Sequence, residues 1–312
     1  MSSRLHARIG TFRQLEILLS VYQNESIKQA ATELHLTQPT ISMQLKKLSD
    51  SINMPLYDQV GRKLVFTEAG KSLAQAAQDV LNRMESLEMD LSQLRGLKAG
   101  TLRLSVVTTS KYFIPHLLGP FCQRYPDVDI EFNVGNRQQI IERLRQGTDD
   151  FFVFSNLPDS VDFEAIDFLE NPLVAIAPSD HPLSRRTNID LKQLEHEPFL
   201  MREKGSGTRY AIESYLKSHQ AKVTVRMTIE SNEAIKHSVM SGLGISILSE
   251  HTLAFGESKG LKILDVKQLP IISKWFLIRP RNKYISPIAK TFLNYIETEG
   301  RELIREQLKN LH

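Results

Sequence analysis

Along residues 73 to 94, Leu73, Ala77, Val80, Met84, Leu87, Leu91 and Leu94 recur at alternating steps of four and three. Three heptads with apolar seam positions describe a helix that lies along a second helix, a period no strand can use. With Thr67 as N-cap, one helix is expected from Glu68 to about Arg95, a rod of roughly 40 Å at about 1.5 Å per residue. A rod so long with so narrow a stripe implies a homodimer, and it separates whatever folds before it from whatever folds after it.

Before the rod, short helical patterns follow one another closely. A first helix is expected from Thr11 to Gln23, with Phe12, Leu15, Leu18, Leu19 and Tyr22 on one face. The next starts at Ser26, where Ser26 and Gln29 have the spacing of a capping box, and Ile27, Ala30, Ala31 and Leu34 form a small-residue inner face. Thr37 then caps a third helix with Gln38 and Pro39 in its first turn. Its inward stripe is Ile41, Leu45, Leu48 and Ile52. Gln38, Ser42 and Lys46 share an outward ridge, with Thr40, Met43 and Lys47 beside it. Amides and hydroxyls there suit base edges, and the lysines suit phosphates. This is the layout of a helix-turn-helix, and Gln29, Thr37, Gln38, Pro39, Thr40, Ser42, Met43, Lys46 and Lys47 are its candidate DNA-contacting residues. Pro55 to Thr67 reads as a hairpin turning at Gly61, with Arg62 and Lys63 as a basic wing. A dimer would set two such helices on two half-sites of double-stranded DNA.

The charge agrees. Of 39 Lys and Arg and 36 Asp and Glu, residues 1 to 66 hold eight bases against five acids, and the remainder balances at 31 of each. The whole formal excess of +3 therefore sits with the helix-turn-helix. The one cysteine, Cys122, lies in an apolar helical stretch and reads as a buried, inert thiol. There is no signal-peptide pattern and no apolar run of about eighteen residues, so the expectation is a cytoplasmic protein without membrane contact.

From Thr101 the texture alternates between strand and helix, which argues α/β architecture with largely parallel sheets. Strands are expected at Leu102 to Val107, Val128 to Val134, Phe151 to Phe154, Leu173 to Ala177, Phe199 to Met201, Val223 to Ile229, Ile245 to Leu248 and around Trp275. Helices are expected at Ile114 to Tyr125, Gln138 to Gln146, Thr208 to His219, Glu233 to Ser241 and Ile288 to Leu308. About 200 residues are generous for one sheet. Two lobes with a cleft follow, with crossovers near Leu169 to Pro172 and Leu269 to Ser273.

Two stretches read as anion cradles on opposite lobes. Thr108, Thr109 and Ser110 lie between a strand and a helix, with Lys111 adding charge. Ser206, Gly207 and Thr208 open another helix, and Arg209 in its first turn opposes the helix dipole and so needs an anion. Asn136, Arg137 and Arg202 are further candidates. The nine histidines show no paired ligand spacing, and no catalytic constellation, nucleotide loop or dinucleotide fingerprint stands out. No metal, no cofactor and no catalysis are expected.

The stretch AATELHLTQPTISMQLKKL, with Ala30, Ala31, Leu34, Thr37, Gln38, Pro39, Ser42 and Leu45, and FTEAG (Phe66 to Gly70) resemble the LysR-type transcriptional regulators over essentially the whole chain. TTSKYFIPHLLGPF, VGNRQQIIERL, DDFFVFSNLPD and REKGSGTR resemble the branch that regulates carbon-fixation operons, the CbbR, RbcR and CmpR type. Met43 and Gln59 depart from the family, which often has Arg at both places. The resemblance implies an α/β chain with a winged helix-turn-helix at 1–66, a linker and dimerisation helix at 67–96, and a two-lobed periplasmic-binding-protein-like effector domain at 97–312. Lobe 1 would be about 101–169 plus 272–312, and lobe 2 about 170–271. It also implies a dimer or tetramer whose DNA binding and polymerase recruitment respond to a small anionic metabolite, phosphorylated or carboxylated. The competing expectation is a solute receptor that uses the cleft without DNA.

Overall fold

The computed structural model describes residues 11–60, 63–94, 99–158, 162–255, 258–281 and 283–310. The chain divides into two compact units, one running to Arg95 and taking in Gln146–Thr148, the other holding Gly96–Arg145 and Asp149–His312.

In the first unit, α1 (Phe12–Asn24) starts from Thr11 through a capping box with Gln14. α2 (Ile27–Glu33) starts from Ser26, and α3 (Gln38–Ile52) from Thr37. Only half of the expected box at Ser26 forms, because the Ser26 hydroxyl accepts from the Gln29 N–H while the Gln29 side chain stays exposed. Between α2 and α3 the chain turns through His35 in the left-handed region. Ala30 and Ala31 add little bulk, so α2 approaches closely and Ile41, Leu45 and Leu48 share one core with Leu18, Val21, Leu56 and Phe66. β1 (Tyr57–Val60) and β2 (Lys63–Phe66) pair antiparallel, Tyr57 opposite Phe66. The tip of this hairpin, with Gly61 and Arg62, and the Lys63 side chain lie outside the described residues.

Helix α4 (Glu68–Leu94) is rooted in the same core. Thr67 accepts from the Gly70 N–H at 3.0 Å and donates to the Pro55 carbonyl at 2.7 Å. Ala74 is buried in the core and Leu73 packs against it. Gly70 has to be glycine here, since a Cβ would lie 1.9 Å from the Leu56 carbonyl oxygen. The expected seam is therefore corrected at its start. Leu73 and Ala77 are covered within one chain, whereas Val80, Met84, Leu87, Leu91 and Leu94 are between 40% and 84% exposed. The root of the rod belongs to the winged unit, not to a separate linker.

The second unit is built on β3 (Gly100–Val107), flanked in parallel by β4 (Val128–Gly135) and β5 (Phe151–Phe154). The intervening helices are α5 (Ile114–Arg124) and α6 (Arg137–Gln146). All four side chains of β5 are buried, and they alternate faces. Phe151 meets Phe292, and Phe152 and Phe154 join Ile140 and Leu144 of α6. Cys122 on α5 is half-buried where it was expected to be buried, and burial pushes its thiol above the ordinary cysteine value.

Two strands connect the lobes. β6 (Phe163–Pro178) and β11 (Ile271–Pro280) run antiparallel from Phe163 opposite Pro280 to Leu173 opposite Ile271. The expected crossover at Leu169 to Pro172 is thus the middle of one continuous strand, and the sheet is mixed where it was expected to be largely parallel. The first half of β6 is not legible from the sequence, because Glu164, Asp167 and Glu170 make it read as a loop, while what holds it extended is backbone pairing with β11.

In lobe 2 the elements are β7 (Pro198–Arg202), α7 (Gly207–Ser218), β8 (Thr224–Ile229), α8 (Asn232–Met240), β9 (Ser246–Ser249), α9 (His251–Ala254) and β10 (Leu261–Ile263). Strand alternation assigns the helices to opposite faces. Leu173, Ala175 and Ala177 pack with Ile212 and Leu216 of α7, and Val174 and Ile176 with Ile235 and Val239 of α8. The chain closes with α10 (Pro287–Tyr295), a π-helical turn over Ile296–Gly300, and α11 (Arg301–Asn310). Phe292 of α10 returns this segment to lobe 1 against Phe121 and Phe151.

Candidate DNA-reading and effector sites

On α3 the buried stripe of Ile41, Leu45 and Leu48 leaves the opposite ridge facing solvent. Gln38, Pro39, Met43, Lys46 and Lys47 are exposed, and Ser42 is half-exposed. Gln38, Ser42 and Lys46 lie one turn apart on one row, spanning about 12 Å. Among the described residues, none of the hydrogen bonds or ion pairs involves the side chains of Gln38, Ser42, Lys46 or Lys47, so these groups are available to a nucleic acid. Thr37 and Thr40 are placed differently. The Thr37 hydroxyl accepts from the Thr40 N–H at 3.3 Å and meets the Thr40 hydroxyl at 2.8 Å, so this pair fixes the helix start.

In the second unit, the C-terminal ends of β3, β5 and β7 and the start of α7 converge between the lobes, where open α/β sheets take ligands. They enclose a cavity of only about 20 Å3 lined by Val107, Thr108, Thr109, Arg137, Ser155, Arg202, Glu203, Ser206, Gly207 and Thr208. Gly207 allows the close approach of lobe 2 to lobe 1, since a Cβ on it would meet the Ser155 hydroxyl at 2.7 Å. Ser206 is the N-cap of α7 but makes no side-chain cap bond, so first-turn N–H groups of a twelve-residue helix are uncapped beside the cavity. The buried Ser206 and Thr208 hydroxyls line the same space.

The structure sorts the other expected residues by what they already hold. Thr108 donates to the Gly135 carbonyl at 3.2 Å, and Arg137 donates to the carbonyls of Asn156 and Leu157 with its guanidinium 5.4 Å from the Phe154 ring centre. Thr109 accepts from the Asn232 amide at 3.0 Å, a bond from lobe 1 to lobe 2. Arg202, 3% exposed, donates to both oxygens of Glu203 at 2.7 and 2.8 Å, to Asn232 Oδ1 at 2.5 Å and to the Glu230 carbonyl at 3.2 Å.

Four expectations are corrected. Ser110 turns its hydroxyl to the Val107 carbonyl at 2.7 Å, and the Lys111 ammonium lies 5.1 Å from the Tyr112 ring centre. Asn136 is an exposed cap that accepts from the Gln139 N–H at 2.9 Å. Arg209 has its anion within its own helix, donating to Glu213 at 2.7 Å and to the Arg202 carbonyl at 3.0 Å. None of these four lines the cavity. Sequence reasoning missed Ser155 and Glu203. Glu203 stands next to an arginine that was singled out, but nothing local indicates that the chain folds the two together.

Beside the cavity, Tyr112 donates to Glu233 at 2.7 Å, and the fully buried Lys236 pairs with the same carboxylate at 2.9 Å. Burial, then the bond to Glu233, raises the Tyr112 phenol far above its ordinary value, so it remains a donor. Burial opposes charge on Glu233, but the bonds from Tyr112 and Lys236 together with the Lys236 charge outweigh it and hold the carboxyl below its ordinary value. With Thr109–Asn232, this makes a clasp between the lobes. Among the described residues there is no group of three metal-ligating side chains, and no helix is long and apolar enough to cross a membrane.

Comparison with known proteins extends this reading. Residues 12–71 match the family described as "Bacterial regulatory helix-turn-helix protein, lysR family", and residues 95–301 match "LysR substrate binding domain". The chain is 45% identical over 288 residues to the HTH-type transcriptional activator CmpR of Synechocystis sp., covering 92% of this chain and 95% of that protein. It is 37% identical over 290 residues to the HTH-type transcriptional regulator CbbR of Rhodospirillum rubrum, covering 93% and 96%. Among solved structures, the Synechocystis PCC6803 CcmR regulatory domain in complex with 2-PG superimposes with a TM-score of 0.60 at 44% identity, covering 63% of this chain and 95% of that one. Full-length CbnR complexed with its target DNA shares the fold, with a TM-score of 0.66 at 20% identity over 96% of this chain and 100% of that one.

Proposed function

The chain belongs to the LysR family of bacterial helix-turn-helix regulators, and from that premise we propose that this member reads its operator through α3 and answers to one small phosphorylated or carboxylated acid bound between its lobes. It is a transcriptional regulator of the CmpR and CbbR branch, with a DNA-binding and an effector-binding domain. The observation that carries the effector reading is the start of α7. Uncapped N–H groups and the buried hydroxyls of Ser206 and Thr208 face one small cavity from lobe 2, and Thr108 and Thr109 face it from lobe 1. Such a site suits an oxyanion. The 44% identical CcmR domain was solved with 2-PG, which supports a phosphorylated two-carbon acid as the class.

The remaining parts follow from the same premise. Gln38 and Ser42 would contact base edges and Lys46 and Lys47 phosphates, with Arg62 and Lys63 on the wing. The exposed stripe from Val80 to Leu94 would join two chains, so that two α3 helices meet two half-sites, and a tetramer would be a pair of such dimers. Binding between the lobes would change the presentation of the paired reading helices and, through it, polymerase recruitment. The target genes would be those of carbon fixation or central carbon metabolism, as the names of the relatives suggest. The protein would act in the cytoplasm and catalyse nothing. A bare solute receptor has no use for the helix-turn-helix unit that residues 12–71 match.

Calorimetric titration of the full chain with 2-phosphoglycolate tests the effector reading. Binding is expected, and Ser206→Ala with Thr208→Val should weaken it about tenfold or more. Equal affinity in the double variant would sink the assignment.

A further inference from the structure

Within the cleft, one acidic side chain stands where a ligand's own acid would be expected. Strand neighbours point to opposite faces, so bidentate pairing of adjacent residues requires the chain to leave the strand between them. β7 ends at Arg202, and the following turn, closed by the Ser206 N–H to the Glu203 carbonyl at 3.2 Å, folds Glu203 back onto it. Asn232 and the Glu230 carbonyl fix the plane of the guanidinium, and Glu203 takes its remaining two-pronged face with contacts of 2.7 and 2.8 Å. Two-pronged oxyanion acceptance on a buried arginine is the geometry a carboxylate or phosphate ligand would use.

Two further observations single out Glu203 as the group that moves. The cavity, at about 20 Å3, holds about one water and cannot take a phosphorylated acid, so a wall must yield. Glu203 lies on the wall between that cavity and a wide groove of about 1290 Å3 along α6, which it also lines with Lys204 and Gly205. Its carboxylate has no hydrogen-bond partner but Arg202 among the described residues, whereas the Thr109–Asn232 and Tyr112–Glu233 bonds hold the lobes together. A rotamer change at Glu203 therefore makes room and uncovers a fixed guanidinium in one step.

We infer that the Glu203 carboxylate is an internal surrogate for the effector's acid group: it occupies the two-pronged face of Arg202, the incoming oxyanion displaces it into the groove beside α6, and Glu203 thereby sets how strong an anion must be to bind. This rests on reading the cleft as an anion site. A weak or singly charged anion does not displace a well-aligned carboxylate, and a phosphate ester dianion does.

The test uses the full chain, with 2-phosphoglycolate and inorganic phosphate as probes in calorimetry and thermal melting. Glu203→Gln keeps the shape and removes the charge. It should bind 2-phosphoglycolate about tenfold more tightly and acquire binding of millimolar inorganic phosphate. Glu203→Ala should melt at a lower temperature than wild type and regain stability as phosphate is added, more steeply than wild type does. Wild-type binding of 2-phosphoglycolate with no gain in Glu203→Gln would overturn the surrogate while leaving the anion site. No wild-type binding, with phosphate-dependent recovery in both variants, would support the surrogate and retire 2-phosphoglycolate as the class. No response to either anion in any variant would overturn both.

Discussion

The two candidate sites are built on opposite plans. Helix α3 keeps its structural and its functional side chains on different faces: Ile41, Leu45 and Leu48 hold the core, while Gln38, Ser42, Lys46 and Lys47 bond to nothing among the described residues. In the cleft the polar groups that would meet a ligand are already engaged in holding the structure, Thr109 by accepting from Asn232 across the lobes and Arg202 by donating to Glu203 and to Asn232 within lobe 2. A surface that binds a rigid, highly charged duplex can afford to wait with its groups solvated. A buried cleft cannot, because an unpaired polar group there costs about 1–3 kcal/mol. Stability and recognition should therefore separate cleanly on α3 and be entangled in the cleft.

The largest effect is expected where the winged unit has no slack. Gly70→Ala places a Cβ 1.9 Å from the Leu56 carbonyl, against backbone that cannot rotate away. The start of α4 would have to shift off the segment that Thr67 binds, at about 3 kcal/mol or more. Chemical denaturation should show the first transition moving to lower denaturant, with DNA binding lost in parallel. A wild-type transition would mean that the root of α4 is not part of that core. Leu45→Ala, at about 3 kcal/mol, should show the same coupling through a cavity.

Next in size is the pair that should break the coupling. Gln38→Ala with Ser42→Ala removes groups that hold nothing in the protein, so melting should stay within about 0.5 kcal/mol of wild type. Affinity for the operator should fall by about 2 kcal/mol, roughly thirtyfold, measured by mobility shift at fixed salt. Lys46→Ala should instead weaken all duplexes alike and flatten the salt dependence. If the double variant melted well below wild type, the claimed separation on α3 would be wrong.

The same contrast explains what could be read from residues alone. On α3 the stripe and the outward ridge lie within fifteen consecutive residues with the cap just before them, and helical spacing by itself sorts inside from outside. The cleft gives no such help. Thr109 and Asn232 are 123 positions apart, and Tyr112 and Glu233 are 121 apart, so their pairing follows from topology that local periodicity does not carry. Arg209 differs for a local reason: Glu213, one turn on, supplies the anion that the helix dipole by itself would leave to a ligand. The rod was legible in its period but not in its root, because Leu73 and Ala77 keep the heptad spacing while their neighbour Ala74 is buried in a globular core. β6 was half legible for the same kind of reason. Its acidic residues read as a loop, and its extended form follows from backbone pairing with β11, a strand that lies far away in sequence.

In the cleft the entanglement predicts a smaller, double effect. Thr109→Val is close to isosteric and leaves the Asn232 amide without its acceptor in a fully buried position. It should cost about 1–2 kcal/mol in melting and also lower affinity for an anionic effector, since Asn232 in turn positions Arg202. A loss of stability with unchanged effector affinity would show that the lobe contact and the site are independent after all.

The smallest effect, and the one that tests the clasp by itself, is a pH dependence. Glu233 sits partly exposed between Tyr112 and Lys236, and its carboxyl is held below the ordinary value of 4.5 because those two donors outweigh the cost of burial. A depressed carboxyl stabilises the fold above its unfolded value, and that contribution disappears as pH falls through the folded one. Wild type should therefore exceed Glu233→Gln in stability by a constant margin at neutral pH, and the margin should close below about pH 4.5. Because the carboxylate is screened by solvent, the margin should be small. Its shape across pH, followed by melting in matched ionic strength, is the informative quantity. A margin that widened on acidification would mean that Glu233 is destabilised by its surroundings, and that the pairing with Tyr112 and Lys236 does not outweigh its burial.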